Sequence, residues 1–194
     1  MSAGRGVGGG TSRLVLASSS PRRADLLRGA GFEFDVHPSG VPEPMFRGGD
    51  VAEYAESLAR AKAASVPGEV VLGADTVVTL DGDVLGKPAD PDEAASMLSR
   101  LSGRSHDVIT GVALNHVGVI RWAHATATVT FRPLTHGDIA AYVASGEPMD
   151  KAGAYAIQGG AASFVTAVEG DRDTVIGLPV ALVRRLLEVS GIDL

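Results

Sequence analysis

The stretch Glu69–Leu80, EVVLGADTVVTL, constrains the fold more than any other part of the chain. It is apolar at odd and even positions alike. A strand built from it has no face for water and belongs in the middle of a sheet covered on both sides. A helical pattern precedes it at Asp50–Val66 and another follows from Asp90-Pro91 to about Leu101. Strands alternating with helices imply an α/β fold, in which ligands gather at strand ends and loops. One residue breaks the strand's apolar character: Asp75, with Gly73, Ala74 and Thr76 beside it. A buried carboxylate is costly unless it is paired, hydrogen-bonded or metal-bound. The small neighbours let a ligand approach the backbone, so a functional aspartate outweighs a structural one here.

A second informative stretch is LASSSPRR, residues 16–23. Leu14–Ala17 predicts a strand and Pro21–Gly29 a helix, with Ser20 as N-cap and Pro21 at the first helical position. Arg22 and Arg23 then stand at the positive end of the helix dipole, where cations are disfavoured. A bound anion removes that conflict: helix amides, the hydroxyls of Ser18, Ser19 and Ser20 and two guanidiniums make a phosphate cradle. The alternative is a surface helix start with two solvated arginines.

The other elements follow in order. Phe32–His37 predicts a short strand, and the Pro- and Gly-rich segment 38–49 a loop carrying Glu43. In the helix Asp50–Val66 the residues Tyr54, Leu58, Ala61, Ser65 form one stripe, with Lys62 beside it, either reaching over the edge into a cleft or solvated. Asp81-Gly82 signals a hairpin turn. Leu85-Gly86-Lys87-Pro88 is no P-loop, because the spacing from Gly82 is short and Pro88 replaces the metal-binding hydroxyl. Lys87 remains a candidate phosphate contact. The helix ending near Leu101 turns Ala94, Ala95, Leu98 and Leu101 inward. His106–Asn115 and Val119–Phe131 predict a hairpin, Thr135–Ser145 a helix, and Gly146–Gly160 a loop with Asp150, Lys151, Tyr155 and Gln158. Ser163–Glu169 predicts a last strand. A helix opened by Pro179 turns Leu182, Leu186 and Val189 inward. Residues 1–13 are Gly-rich and predict a flexible tail, leaving 14–194 as one domain. GRGVGG at 4–9 fits G-x-G-x-x-G but precedes the first strand, so it is no dinucleotide fingerprint.

Composition removes several function classes. A net charge of −6 over 194 residues argues against a general nucleic-acid or membrane-surface binder. The absence of cysteine excludes disulfides, thiol nucleophiles and zinc–thiolate sites and fits a cytoplasmic protein. No apolar run approaches the roughly 20 residues of a membrane span. The five histidines lack metal-ligand spacing, and no G-x-S-x-G elbow is present. What remains is a set of cations (Arg22, Arg23, Lys62, Lys87, Lys151) interleaved with carboxylates (Glu43, Asp75, Asp150). Cations bind a polyanion, and carboxylates among them hold Mg²⁺ or Mn²⁺ or activate a water, which suits chemistry at a phosphoanhydride.

The chain resembles the Maf family, the septum-formation-inhibitor-like nucleotide pyrophosphatases. The resemblance runs from Leu14 to about Val183. It is carried by LASSSPRR (16–23), GADTVV (73–78), LGKP (85–88), LSGRSHDVITGVAL (101–114), DKAGAYAIQG (150–159) and VIGLP (175–179). It implies a bilobed, ITPase-like α/β fold, a mixed twisted sheet with flanking helices around a central cleft, in a homodimer. It also implies metal-dependent hydrolysis of a nucleoside triphosphate between its α and β phosphates. By resemblance Asp75 is the general base, and Arg22, Thr76 and Gln158 govern substrate choice. Arg23, Lys62 and Lys87 hold the phosphates together with Ser18 and the amides that follow it, Lys62 and Lys87 also serving catalysis. Glu43 joins Asp75 at the metal. Pro42 and Gly86 stand where some members carry acids. The SPRR form resembles the branch acting on dTTP and UTP. A 7-methyl-GTP or broad-specificity pyrophosphatase and a non-catalytic nucleotide-binding regulator of septum formation are the alternatives.

Overall fold

The computed structural model describes residues 13–194. The flexible-tail expectation and the GRGVGG segment lie outside the described residues. Seven strands form one mixed sheet: β1 (Leu14–Leu16), β2 (Phe34–Val36), β3 (Val70–Leu80), β4 (Asp83–Leu85), β5 (Ser105–His116), β6 (Val119–Phe131) and β7 (Val165–Glu169). The order is β2-β1-β3-β5-β6-β7, with β4 also on β3. As its sequence demands, β3 is central. It runs parallel to β1, and β1 to β2; the other pairings are antiparallel. The Asp81-Gly82 turn joins β3 to β4 with both residues at positive φ, 56° and 86°, the geometry of a tight two-residue hairpin.

The pairing of β3 forks. One edge is occupied continuously by β5, from Val70 to Thr79. The other is shared: β1 pairs with Val70–Leu72 and β4 with Val78–Leu80. Among the described residues, no strand pairs with 73–77 on that side. The loop leaving β1 and the segment leaving β4 enter this gap from opposite ends.

Among the described residues six α-helices flank the sheet: α1 (Pro21–Gly29), α2 (Val51–Ser65), α3 (Pro91–Leu101), α4 (His136–Ala144), α5 (Arg172–Ile176) and α6 (Val180–Val189). Even-numbered residues of β3 serve two separate cores on one face. Val70, Leu72 and Ala74 pack with Leu14, Leu16, Leu27 and Val183 of the α1/α6 lobe. Val78 and Leu80 pack with Leu98, Leu101, Phe131 and Phe164 of the α3/α4 lobe. Each such leucine, fully withdrawn from water, contributes on the order of 1.5–3 kcal/mol. Odd-numbered residues face α2, where Val77 meets Ala55 and Ile109.

α2 rests on bare backbone. A Cβ at Gly73 would overlap the Ala59 carbonyl and stand 2.6 Å from the Ala63 nitrogen; one at Gly111 would stand 2.5 Å from Ala55 carbon. This corrects the expected stripe. The buried row is Ala55, Leu58, Ala59, Lys62 and Ala63, while Ala61 and Ser65 are exposed. Smallness against glycine, rather than apolarity, sets the face. The C-terminal helix also differs by a small rotation. It buries Val183, Leu186 and Leu187, and Val189 is 56% exposed. Ile192, folded back beyond the helix end, fills the place expected for Val189.

Candidate active site

The fork in β3 opens into a cleft of about 490 Å³ between the two lobes. Every site residue expected from the sequence lines it: Ser18, Arg22 and Arg23 from the β1–α1 segment, Glu43 from the loop after β2, Lys62 from α2, Asp75 and Thr76 from β3, Lys87 from beyond β4, and Gln158. Asp75 and Thr76 are neighbours on a strand, so their side chains leave opposite faces. Asp75 meets α2, and Thr76 meets α1 and α5.

On the α2 side, Lys62 is buried and bridges two carboxylates. Its Nζ donates to Asp75 Oδ1 at 2.5 Å and to Glu43 Oε1 at 2.7 Å. The close seat of α2 on Gly73 brings this ammonium down to strand level. Burial pushes the Asp75 carboxyl above its ordinary range, and the charges of Lys62 and Arg23 oppose that push without cancelling it. Burial acts on Glu43 in the same sense, but the Lys62 hydrogen bond and charge, with help from Lys87, prevail and hold it below the usual carboxylate range. Lys87 Nζ lies 3.6 Å from Glu43 Oε2 and is largely exposed, free to meet a ligand.

On the other side, Arg23 is fixed at three points. Nε donates to the Gly177 carbonyl at 2.8 Å, Nη1 to Ser18 Oγ at 3.2 Å and Nη2 to Thr76 Oγ1 at 3.1 Å. Burial lowers its pKa, against the opposing pull of Asp75 and Glu43, and a guanidinium remains charged throughout. Ser20 occupies the N-cap position of α1 but makes no side-chain cap. Ser18 Oγ instead accepts from the Ser20 amide at 3.2 Å. The first turn of α1 therefore faces the cleft with no side-chain acceptor on its amides, the arrangement an anion satisfies. Arg22 is half-buried beside it and Gln158 exposed at the rim. Lys151 also lines the cleft, yet its ammonium is taken up by Asp150 and the Glu147 carbonyl.

Sequence reasoning did not single out Thr110, the Gly177 carbonyl, or the apolar wall of Val78, Val108, Ile157, Val175 and Ile176. Thr110 carries the same signal as Asp75, a polar side chain inside an apolar strand. Nothing in the sequence announces a backbone carbonyl.

Among the described residues no group of three or more His, Asp or Glu side chains could hold a metal alone. Glu43 and Asp75 nevertheless converge on a single cationic centre, the Lys62 ammonium. Two carboxylates completed by phosphate oxygens and water are the usual donor set for Mg²⁺ or Mn²⁺, so these residues fit an ion that arrives with a polyphosphate.

Residues 13–190 match the family described as Maf-like protein. A dTTP/UTP pyrophosphatase from Moorella thermoacetica is 50% identical over 188 residues, 94% of this chain and 97% of that protein. One of the same name from Symbiobacterium thermophilum is 50% identical over 183 residues, covering 92% and 94%. The Staphylococcus aureus Ham1 protein shares the fold, with a TM-score of 0.50 at 13% identity over 92% of this chain and 99% of that one.

Proposed function

Because the chain belongs to the Maf family, we propose that it hydrolyses nucleoside triphosphates, dTTP and UTP foremost, to the monophosphate and pyrophosphate. The observation that carries this reading is Asp75, a carboxylate with a raised pKa at the fork of β3, in a cleft lined by Arg22, Arg23, Lys62 and Lys87. The cations and the open amides of α1 bind the triphosphate, Arg23 rigidly and Lys87 from a flexible stem. Lys62 holds the Asp75 carboxylate in place. Asp75 takes the proton from a water whose oxygen bonds to the α-phosphorus. The bond from that phosphorus to the bridging oxygen breaks, and pyrophosphate leaves with the bond's electrons. Glu43 and Asp75 would hold a divalent cation, Mg²⁺ or Mn²⁺, which offsets charge on the phosphoryl oxygens. Arg22, Thr76 and Gln158 meet the nucleoside and govern its choice.

The test is pyrophosphate release from each nucleoside triphosphate with Mg²⁺ or Mn²⁺. Turnover should be highest with dTTP and UTP. Asp75→Asn should lower it at least ~100-fold with the circular dichroism spectrum unchanged. Release from no nucleotide would leave a binding protein; undiminished release by Asp75→Asn would remove Asp75 as the base. We further assign the protein to the cytoplasm, where such substrates occur and with which a cysteine-free chain is compatible. We also assign it a homodimeric state, supported by the open outer edge of β6. Among the described residues, no strand pairs with 119–127 there, because β7 pairs only with Thr128–Phe131.

A further inference from the structure

Thr110 lies on β5 directly across from Thr76, is fully buried, and meets the cleft-lining Thr76 hydroxyl. Its Oγ1 is 2.8 Å from the Thr174 carbonyl and 3.0 Å from Thr76 Oγ1. A carbonyl only accepts, and Thr174 stands in the last turn of α5, where carbonyls lack helical partners: the Gly177 and Leu178 amides both turn to Asp173 instead. The single hydroxyl hydrogen of Thr110 therefore goes to Thr174. Toward Thr76, Thr110 can only accept, so the Thr76 hydroxyl hydrogen is committed to Thr110. Arg23 Nη2 donates to Thr76 Oγ1 at 3.1 Å, in keeping with that direction. The hydrogen bonds thus run one way, Arg23 to Thr76 to Thr110 to the Thr174 carbonyl. What Thr76 has left for the cleft is a lone pair.

We propose that Thr110 is a positioning residue for nucleotide selection: it fixes Thr76 as an acceptor only, which suits the ring N–H of uracil or thymine and refuses the bare ring nitrogen of cytosine. The inference rests on the pyrimidine-nucleotide reading above. Uracil and thymine carry one N–H on their pairing edge, and an oriented acceptor is what recognises it. A hydroxyl free to rotate would accept from uracil or donate to cytosine and choose neither.

Titration calorimetry with UMP, CMP and inorganic tripolyphosphate tests this without turnover. The unaltered protein should bind UMP at least ~10-fold more tightly than CMP, the usual scale for a matched against an unmatched buried hydrogen bond. Thr110→Val, equal in shape but without an acceptor, should bring the ratio below ~3-fold while tripolyphosphate affinity holds. Thr110→Ala, a second acceptor-free variant, should do the same should the valine protein fold poorly. Thr110→Ser should restore the preference. An unchanged ratio in both Thr110→Val and Thr110→Ala overturns the proposal. So does an equal loss of all three ligands, which would make Thr110 merely structural. A protein that prefers UMP in this way yet releases no pyrophosphate overturns the enzyme reading alone. One that releases pyrophosphate but keeps its UMP preference in Thr110→Val overturns this inference alone.

Discussion

As the proposed base, Asp75 has to be a carboxylate to take a proton, and burial makes that form unfavourable. A raised carboxyl pKa means that the fold favours the protonated acid. The associated stability is present in full at low pH and is lost as pH rises through the folded-state value. Activity has the opposite sign, since the base works only when ionised. The acid limb of kcat/KM for dTTP should therefore lie above the ordinary aspartate value of 3.8. Lys62 is the strongest influence holding the pKa down, so Lys62→Gln should move the limb to higher pH as well as slowing turnover. A limb that stays in place in this variant would dissociate it from Asp75. Much at this scale was legible in the sequence. A lone carboxylate in an apolar strand and two arginines at a helix N-terminus are local conflicts visible in the sequence, and both lie in the cleft. Thr110 gives a weaker form of the Asp75 signal: a polar side chain in an apolar strand, but an uncharged one that suits a strand and stands out little until its partners are seen.

The element that sets the site is α2. It brings Lys62 to Asp75 only because Gly73 and Gly111 let three alanines lie on the strands' backbone. Gly73→Ala has no room to relax except by lifting the helix. It should cost about 1–3 kcal/mol in urea unfolding, as overpacking does, and should lower dTTP turnover by withdrawing Lys62. A variant of unchanged stability and turnover would mean that α2 is not held by this contact. The limits of α1 and α3 follow from Ser20-Pro21 and Asp90-Pro91, punctuation that propensity alone reads well. The inward face of α2 did not follow. Hydropathy weights Tyr54 and Leu58, whereas contact is made by residues chosen for having almost no side chain. The five-residue α5 is too short for any periodicity to reveal.

At the scale of the molecule, the sheet order and the fork in β3 were beyond the sequence, because strand pairing between distant segments leaves no local trace. The α/β class and the flanking helices were within reach. The outer edge of β6 bears on assembly. Val117, Val119 and Trp122 are exposed beside it, at 71, 59 and 45%, and a long unpaired edge with apolar neighbours invites a strand from another chain. Sedimentation at micromolar concentration should give twice the chain mass of 19.8 kDa, and Val119→Lys should shift it toward one chain. A single-chain mass for the unaltered protein would rule out the dimer.

The fork also governs when the site can exist. Asp75 lies where β1 and β4 stop short of each other. Arg23 is held by a carbonyl at Gly177, 154 positions further on. No contiguous fragment that omits either β1 or Gly177 contains a complete cleft. A chain still leaving the ribosome therefore has no complete cleft until Gly177 has emerged and α5 has docked on α1.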